Sequence, residues 1–393
     1  MVAELARLLS QAPPVIVGLV VNPVAGLGGP AALKGSDGPD VQARALALGA
    51  VPRAGERAAA ALAALHRLRP DVRVRTVAGA MGEDSARAAG VPHEVVHRPR
   101  AGAGAATTAG GAVTVTTGAA DTRAAVAALG GADLLLFAGG DGTARDVLDA
   151  RPRGPVLGVP AGVKVYSGCF AVSPFAAAAT AAAFDGTTLD AEVVDLDEEA
   201  YRSGRVGARL YGTLRVPAAR TRLSGRKSGS SGAPPGSAES IAREVVASMV
   251  PGETYALGPG ATTLAVGRVL GLDLTPLGVD VVRDGVLLAP DVTERTLHTL
   301  AMSQVTHGVL SVIGGQGFVI GRGNQQFSPR VLDRLAGIVV LATQQKLAAL
   351  GGRPLLVDSG DAATDAAFGG HTRVVTGYRE SVMYRIQSAN EEL

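Results

Sequence analysis

The sequence predicts an α/β protein: an N-terminal α/β domain on a parallel sheet, then a second domain of mixed β and α/β character. Three observations carry this. Short apolar runs alternate with alanine-rich, helix-compatible stretches over Val15–Val159, the rhythm of βαβ units. Two of those runs end in glycine-rich loops, Ala25-Gly26-Leu27-Gly28-Gly29 and Gly139-Gly140-Asp141-Gly142-Thr143. The composition changes after Asp190, and the α/β rhythm returns from Tyr255. The division that follows is 1–188 and 189–393.

Val15–Val21 is a buried strand stopped by Asn22-Pro23. The first glycine loop follows, then Lys34-Gly35-Ser36-Asp37-Gly38. Arg53–Arg67 reads as a helix, Val72–Val77 as a strand, Asp84–Ala89 as a short helix and the β-branched Val113–Thr117 as a strand. Thr117 or Asp121 is expected to cap a helix through Leu129. Asp133–Ala138 is a strand running into the second glycine loop, with a helix from about Ala144 and a strand over Val156–Val159. Phe175–Phe184 reads as a helix that packs closely through alanine.

Glu192–Val216 reads as two strands around a turn at Ser203-Gly204. Thr221–Ser240, rich in Ser, Gly and Arg, reads as a loop. Beyond it come a strand from Tyr255, the loop Gly258-Pro259-Gly260 and a helix toward Leu270. Gly278–Val282 is a strand with a turn at Arg283-Asp284-Gly285. Ser311–Ile313 leads into Gly314-Gly315-Gln316-Gly317, and Gly321–Gln326 is a polar glycine loop. Gly337–Ala342 and Pro354–Val357 complete the expected strands.

Composition narrows the function. Hydrophobic residues are 47% and charged residues 18% of 393, which is globular rather than disordered. Lys+Arg 37 against Asp+Glu 35 gives a net charge of +2, so no nucleic-acid partner is expected. Aromatic residues are 3%, with no Trp for base-stacking platforms. The one cysteine, Cys169, excludes an intramolecular disulfide framework and a multi-cysteine zinc site, and fits a reducing, cytoplasmic setting. Met1–Gln11 does not read as a signal peptide, and no stretch is apolar enough to predict a membrane span. The six histidines show no metal-ligand spacing.

The chemistry concentrates in Gly139–Thr143. Its glycines are expected to adopt positive φ and approach a ligand, and amides at a helix start can cradle phosphate. Among such amides Asp141 would repel phosphate unless it serves the chemistry, by holding Mg²⁺ or by accepting a proton from an attacking hydroxyl. The alternative is a turn residue. Asn22 and Gly26 form a second strand-end loop; Asn22 suits phosphate and ribose together, or closes its own turn. Lys164 could neutralise a phosphate or lie on the surface. Arg145 would sit in the first turn of its helix near the phosphates, or on a solvated face. Thr262 and Thr263 could bind phosphate or cap a helix. Arg322, Asn324 and Gln325 crowd polar groups into one loop, which suggests a ligand surface. Arg220, Arg222, Arg226 and Lys227 could close over an anion, though a solvated loop is favoured. The chain has no G-x-x-x-x-G-K-[ST] stretch.

Several stretches together resemble the NAD kinase and diacylglycerol kinase superfamily, and more closely its ATP-NAD kinase-like family with AcoX-type members. They are Val20–Gly26, Leu33–Gly38, Phe137–Asp146, Gly158–Lys164, Tyr211–Val216, Leu257–Thr263 and Gly314–Gln326. The resemblance implies a phosphofructokinase-like N-terminal domain that binds nucleotide and a second domain completing the cleft. It implies ATP and Mg²⁺, and Asp141 as the catalytic carboxylate acting on the 2′-hydroxyl of the NAD adenosine ribose. Phosphate binding falls on Asn22, Gly139, Gly140, Gly142 and Thr143.

One departure concerns the acceptor. True NAD kinases carry an Asn-Glu or Asn-Asp pair that grips the acceptor nucleotide; here the Asn-Glu dipeptide is Asn390-Glu391. The leading expectation is an ATP-dependent kinase converting NAD to NADP. The alternatives are a kinase of another small-molecule or lipid alcohol, and a non-catalytic nucleotide-binding regulator. Small-molecule nucleotides are the expected partners, with no membrane and with room for a homo-oligomer.

Overall fold

A computed structural model describes residues 15–26, 47, 51–99, 106–109, 112–115, 117–161, 165–196, 208–218 and 237–390. They divide into two compact units. The first takes the described residues up to 26 and from 52 to 161 and 165 to 218; the second takes 47, 51 and those from 237 onward.

The first unit opens with β1 (Ile16–Val21), an apolar strand whose last five residues are buried. Helix α1 (Ala54–Leu68) buries Ala54, Arg57, Ala58, Ala61, Leu62, Ala64 and Leu65, the single face that a 3.6-residue period produces. There follow β2 (Arg73–Val77), α2 (Glu83–Ala88) and β3 (His93–His97). Strands β4 (Ala106–Ala109) and β5 (Ala112–Val115), α3 (Ala119–Ala128), β6 (Leu134–Gly139), α4 (Asp141–Asp149) and β7 (Val156–Pro160) come next. Among the described residues the main sheet has the order β3-β2-β1-β6-β7, every pair parallel. Strands β6 and β7 are buried throughout, as a sheet covered on both faces requires. Helix α5 (Pro174–Ala182) starts at Ser173, whose hydroxyl accepts the Ala176 N–H at 3.1 Å, with Pro174 in the first turn. It packs on α1, alanine against alanine, as expected.

Several local expectations are corrected. The Val113–Thr117 segment does not join the parallel sheet: β5 pairs antiparallel with β4 in a separate two-stranded sheet. Strand β3 is an addition to the expected elements, because His93-Glu94-Val95-Val96-His97 at a sheet edge carries no continuous apolar run. The cap of α3 is Gly118; Asp121 sits in the first turn and its carboxylate accepts the Gly118 N–H at 2.9 Å. Helix α4 begins at Asp141, three residues before Ala144, because Gly140 is extended (φ −122°, ψ −165°) and already acts as its cap.

The hairpin β8 (Thr188–Leu196) and β9 (Ala208–Pro217) lies, but for Thr188, beyond the expected 188/189 division, and its contacts group it with the first unit. Its anchors explain this. The Gly168 N–H donates to the Glu192 carbonyl at 2.9 Å, and Arg145 of α4 pairs with Asp195 of β8 at 3.0 Å. The segment before the hairpin lies along β7: the Gly158 N–H donates to Cys169 O (2.8 Å) and the Ala171 N–H to Gly158 O (2.9 Å).

The second unit begins with α6 (Ser237–Ala247), whose start falls inside the expected Thr221–Ser240 loop. Next come β10 (Thr254–Leu257), α7 (Ala261–Leu270), β11 (Asp280–Arg283), β12 (Val286–Ala289), α8 (Glu294–Ser303), β13 (Thr306–Ser311) and β14 (Phe318–Ile320). Then follow α9 (Pro329–Leu332), β15 (Gly337–Leu341), α10 (Gln344–Ala348), β16 (Leu355–Val357), α11 (Ala362–Ala367), β17 (Gly370–Gly377) and β18 (Glu380–Ser388). The strands form one mixed sheet in the order β12-β11-β10-β13-β15-β17-β18-β16-β14. One buried cluster joins Ile241 and Val245 of α6 to Val266 of α7 and to Leu257, Val309 and Leu341 of the sheet. A second contains Leu310, Ile320, Phe327, Val340, Val357 and Ile386. Strands β17 and β18 extend the sheet beyond the strands expected through Val357; polar residues at their outward positions hide them in the sequence. Among the described residues no helix is long and apolar enough to cross a membrane.

Glycine is required where segments meet. A Cβ on Gly158 would lie 2.3 Å from the nearest ring carbon of buried Phe170. Gly158→Ala is expected to push that ring aside and cost about 1–3 kcal/mol, read from a denaturant midpoint; a change within ~0.5 kcal/mol, typical of a surface site, would refute the packing.

Candidate active site

In the sheet order β3-β2-β1-β6-β7 the chain runs outward from β1 through β2 and β3, then resumes at β6 and runs the other way. The switch point therefore lies between β1 and β6, where parallel α/β sheets hold ligands beyond the strand ends. Both predicted loops leave the sheet there. The Asn22 N–H donates to Ala138 O at 2.9 Å, and the Ala161 N–H to Gly139 O at 3.0 Å.

Asn22 closes its own turn and also reaches the second loop. Its Oδ1 accepts the Val24 N–H at 3.3 Å, and its Nδ2 donates to Thr143 Oγ1 at 2.9 Å, joining the two loops. Thr143 lies directly over Gly139, where a Cβ would come within 2.3 Å of Thr143 Oγ1. This corrects the expected role of the glycines. Gly139, Gly140 and Gly142 are not at positive φ; Gly139 ends β6, Gly140 is extended and Gly142 is in α4. Gly139 is needed for close approach. Gly26 does have positive φ (+88°), and a Cβ there would meet Ala161 O at 2.6 Å.

Asp141 is the first residue of α4, and its charge suits the positive end of that helix. It is buried, 7% exposed, and its side chain turns to the segment after β7. Oδ2 accepts the Tyr166 N–H at 2.7 Å; Oδ1 accepts the Ser167 N–H at 2.9 Å and the Ser167 hydroxyl at 2.6 Å. Burial pushes its pKa up to about 7, against the Ser167 hydroxyl and the Ser167 and Tyr166 amides, which favour the ionised form; the charge of Asp195 adds to the rise. Tyr166 and Ser167 escape a reading of the sequence, since nothing in Val165-Tyr166-Ser167-Gly168 marks a carboxylate cradle. Arg145 pairs with Asp195 and lies 5.0 Å from the Tyr211 ring centroid.

The other expected residues are in the second unit or outside the described set. Thr262 and Thr263 do not cap α7, whose cap is Gly260 with no side-chain bond. Thr263 donates to Gly260 O at 2.7 Å, and Thr262 Oγ1 accepts from Lys346 Nζ at 3.0 Å. Lys346 also donates to Ser311 Oγ at 2.7 Å, a pairing that no local motif signals. Arg322 and Asn324 present no polar surface. Arg322 pairs with Asp358 at 3.0 Å, both side chains buried, and stacks 4.6 Å from the Phe318 centroid. Asn324 Oδ1 accepts the Gly321 N–H at 2.9 Å and its Nδ2 donates to Val319 O at 2.8 Å. The bend that these bonds close needs Gly321, at φ +91°. Lys164, Lys34–Gly38, the basic residues Arg220, Arg222, Arg226 and Lys227, and Glu391 lie outside the described residues. Among the described residues no three His, Cys, Asp or Glu side chains gather to hold a metal ion.

Two family models match: the ATP-NAD kinase N-terminal domain over residues 17–191 and the ATP-NAD kinase C-terminal domain over residues 251–386. These are the domains of an ATP-dependent kinase, and their α/β and mixed-sheet architecture is the one seen here. The chain belongs to the ATP-NAD kinase-like family. No curated protein and no solved structure matches it.

The geometry makes two outcomes measurable. Asn324→Ala removes two buried hydrogen bonds and is expected to cost about 1–3 kcal/mol of stability; an unchanged unfolding midpoint would instead point Asn324 toward a ligand. Asp141 binds its proton more tightly folded than unfolded, so its stabilising effect is full below the unfolded value of 3.8 and is lost as pH rises through about 7. The melting temperature of Asp141→Asn relative to wild type is therefore expected to climb between those pH values and level off above them. A difference constant with pH would contradict the raised pKa.

Proposed function

We propose that this protein transfers the γ-phosphoryl group of ATP to the 2′-hydroxyl of the adenosine ribose of NAD, giving NADP and ADP. The observation that carries the reading is the state of Asp141. An ionised carboxylate has about four lone-pair directions, and among the described residues Tyr166 and Ser167 fill three of them. The remaining one, on Oδ2, suits a hydroxyl. A base whose pKa is about 7 is poised to accept that proton near neutral pH. The acceptor oxygen then attacks the γ-phosphorus, the bond to ADP breaks and the proton stays on Asp141.

Phosphoryl transfer depends mainly on positioning and charge neutralisation. The first turn of α4 offers amides toward the switch point, with Asn22 and Thr143 tied together beside it. The described residues build no metal cage, so Mg²⁺ is proposed to arrive on the phosphates of ATP. A cytoplasmic setting suits such a chain, with its one cysteine, Cys169, buried as a thiol.

The test is the purified protein with ATP, Mg²⁺ and NAD⁺, following NADP⁺ and ADP. NADP⁺ is expected. ADP formed only with another alcohol would move the acceptor assignment, and nucleotide binding without turnover would leave a regulator. Asp141→Asn should lower kcat by ~10²- to 10⁴-fold, the usual worth of a positioned acid–base group, with little change in nucleotide affinity. Normal turnover in that variant would refute the mechanism.

A further inference from the structure

The two oxygens of Asp141 are held unequally. Oδ1 accepts twice from Ser167, through the amide at 2.9 Å and the hydroxyl at 2.6 Å. Among the described residues Oδ2 accepts once, from the Tyr166 amide at 2.7 Å. Ser167 Oγ is also tied to β8: it lies 2.9 Å from the Val194 carbonyl and accepts the Val194 N–H at 3.0 Å. The residue is fully buried, so bulk water does not compete for these contacts.

A hydroxyl has one proton, and here two acceptors are in reach. Asp141 Oδ1 is the nearer and, when ionised, the charged one, so it takes the stronger bond. Once the carboxyl is neutral that advantage disappears, and the hydroxyl proton can turn to the Val194 carbonyl.

We propose that Ser167 is a positioning residue for phosphoryl transfer: it saturates Oδ1 of Asp141, directs the substrate proton to Oδ2, and anchors the carboxylate to β8 through Val194. The proposal rests on the kinase reading. Its step balances in one exchange: the acceptor O–H bond breaks with its proton going to Oδ2, the new O–P bond forms, and the bond to the ADP oxygen breaks. Among the described residues the charged group acting on this network is Asp195 on β8, which pairs with Arg145 of α4. Cys169, behind Ser167, is kept a neutral thiol because burial pushes its pKa up.

Ser167→Ala and the larger, weaker donor Ser167→Cys test the assignment. The carboxyl ¹³C signal of Asp141 would be titrated in substrate-free protein, with Asp141→Asn to identify it. Loss of the hydroxyl should move its midpoint up from about 7 by roughly one pH unit, so that kcat falls ~5-fold at pH 7, approaches a ~10-fold loss in more acid buffer, and recovers in alkaline buffer with KM unchanged. Ser167→Cys should fall between. In wild-type protein the Ser167 and Val194 amide protons should titrate with the Asp141 midpoint, a readout that needs no variant to fold. An unmoved midpoint, a kcat loss equal at all pH values, or amide signals indifferent to the Asp141 titration would overturn the proposal. Correct titration in a protein that forms no NADP⁺ would count against the kinase reading and leave the Ser167–Asp141 coupling standing.

Discussion

The first unit's site depends on how closely Thr143 lies over Gly139. Only a residue without Cβ at the end of β6 lets α4 turn back this tightly, with Thr143 Oγ1 2.3 Å from where a methyl carbon would be. That approach places the threonine against Asn22 from the neighbouring strand end. It also starts α4 at Asp141, whose side chain is thereby delivered to Tyr166 and Ser167. One missing carbon atom thus aligns the switch point, the helix start and the buried carboxylate.

The carboxylate is a compromise between opposing effects. Burial disfavours its charge, while three donors favour it, and the outcome is a group near the middle of its titration at neutral pH. A carboxylate with the same donors in a wetter site would remain ionised throughout that range. The link to β8 through Ser167 gives the group a second neighbour besides its own helix, so its position is set by elements far apart in sequence.

Much of this is legible in the sequence because local signals and global fold agree. The apolar run Asp133–Ala138 reads as a strand and the strand observed is Leu134–Gly139, and Asn22 with Gly139–Thr143 read as strand-end loops of one sheet edge and meet. The failures are also local in origin. Polar, half-exposed strands such as β3 and β17 carry no apolar run, and α6 begins within a serine- and glycine-rich stretch. The type of Arg322 and Asn324 is visible in sequence, while their burial and intramolecular partners are not. Ser167 is invisible for the opposite reason: a lone serine among small and apolar neighbours acquires meaning only from Asp141, on another element.

The Arg322–Asp358 pair has a consequence for the chain's history. Both side chains are shut away from solvent, and the Asp358 backbone packs against Gly321, the residue before Arg322. Removing one partner of a buried ion pair costs about 3–5 kcal/mol, whereas exchanging both for apolar residues of similar volume can be nearly neutral. Single substitutions at either position thus lead downhill in fitness even where the double exchange is tolerated. The two positions are expected to drift together or not at all, which makes them a covariation signal that relatives of this chain would carry independently of the acceptor they phosphorylate.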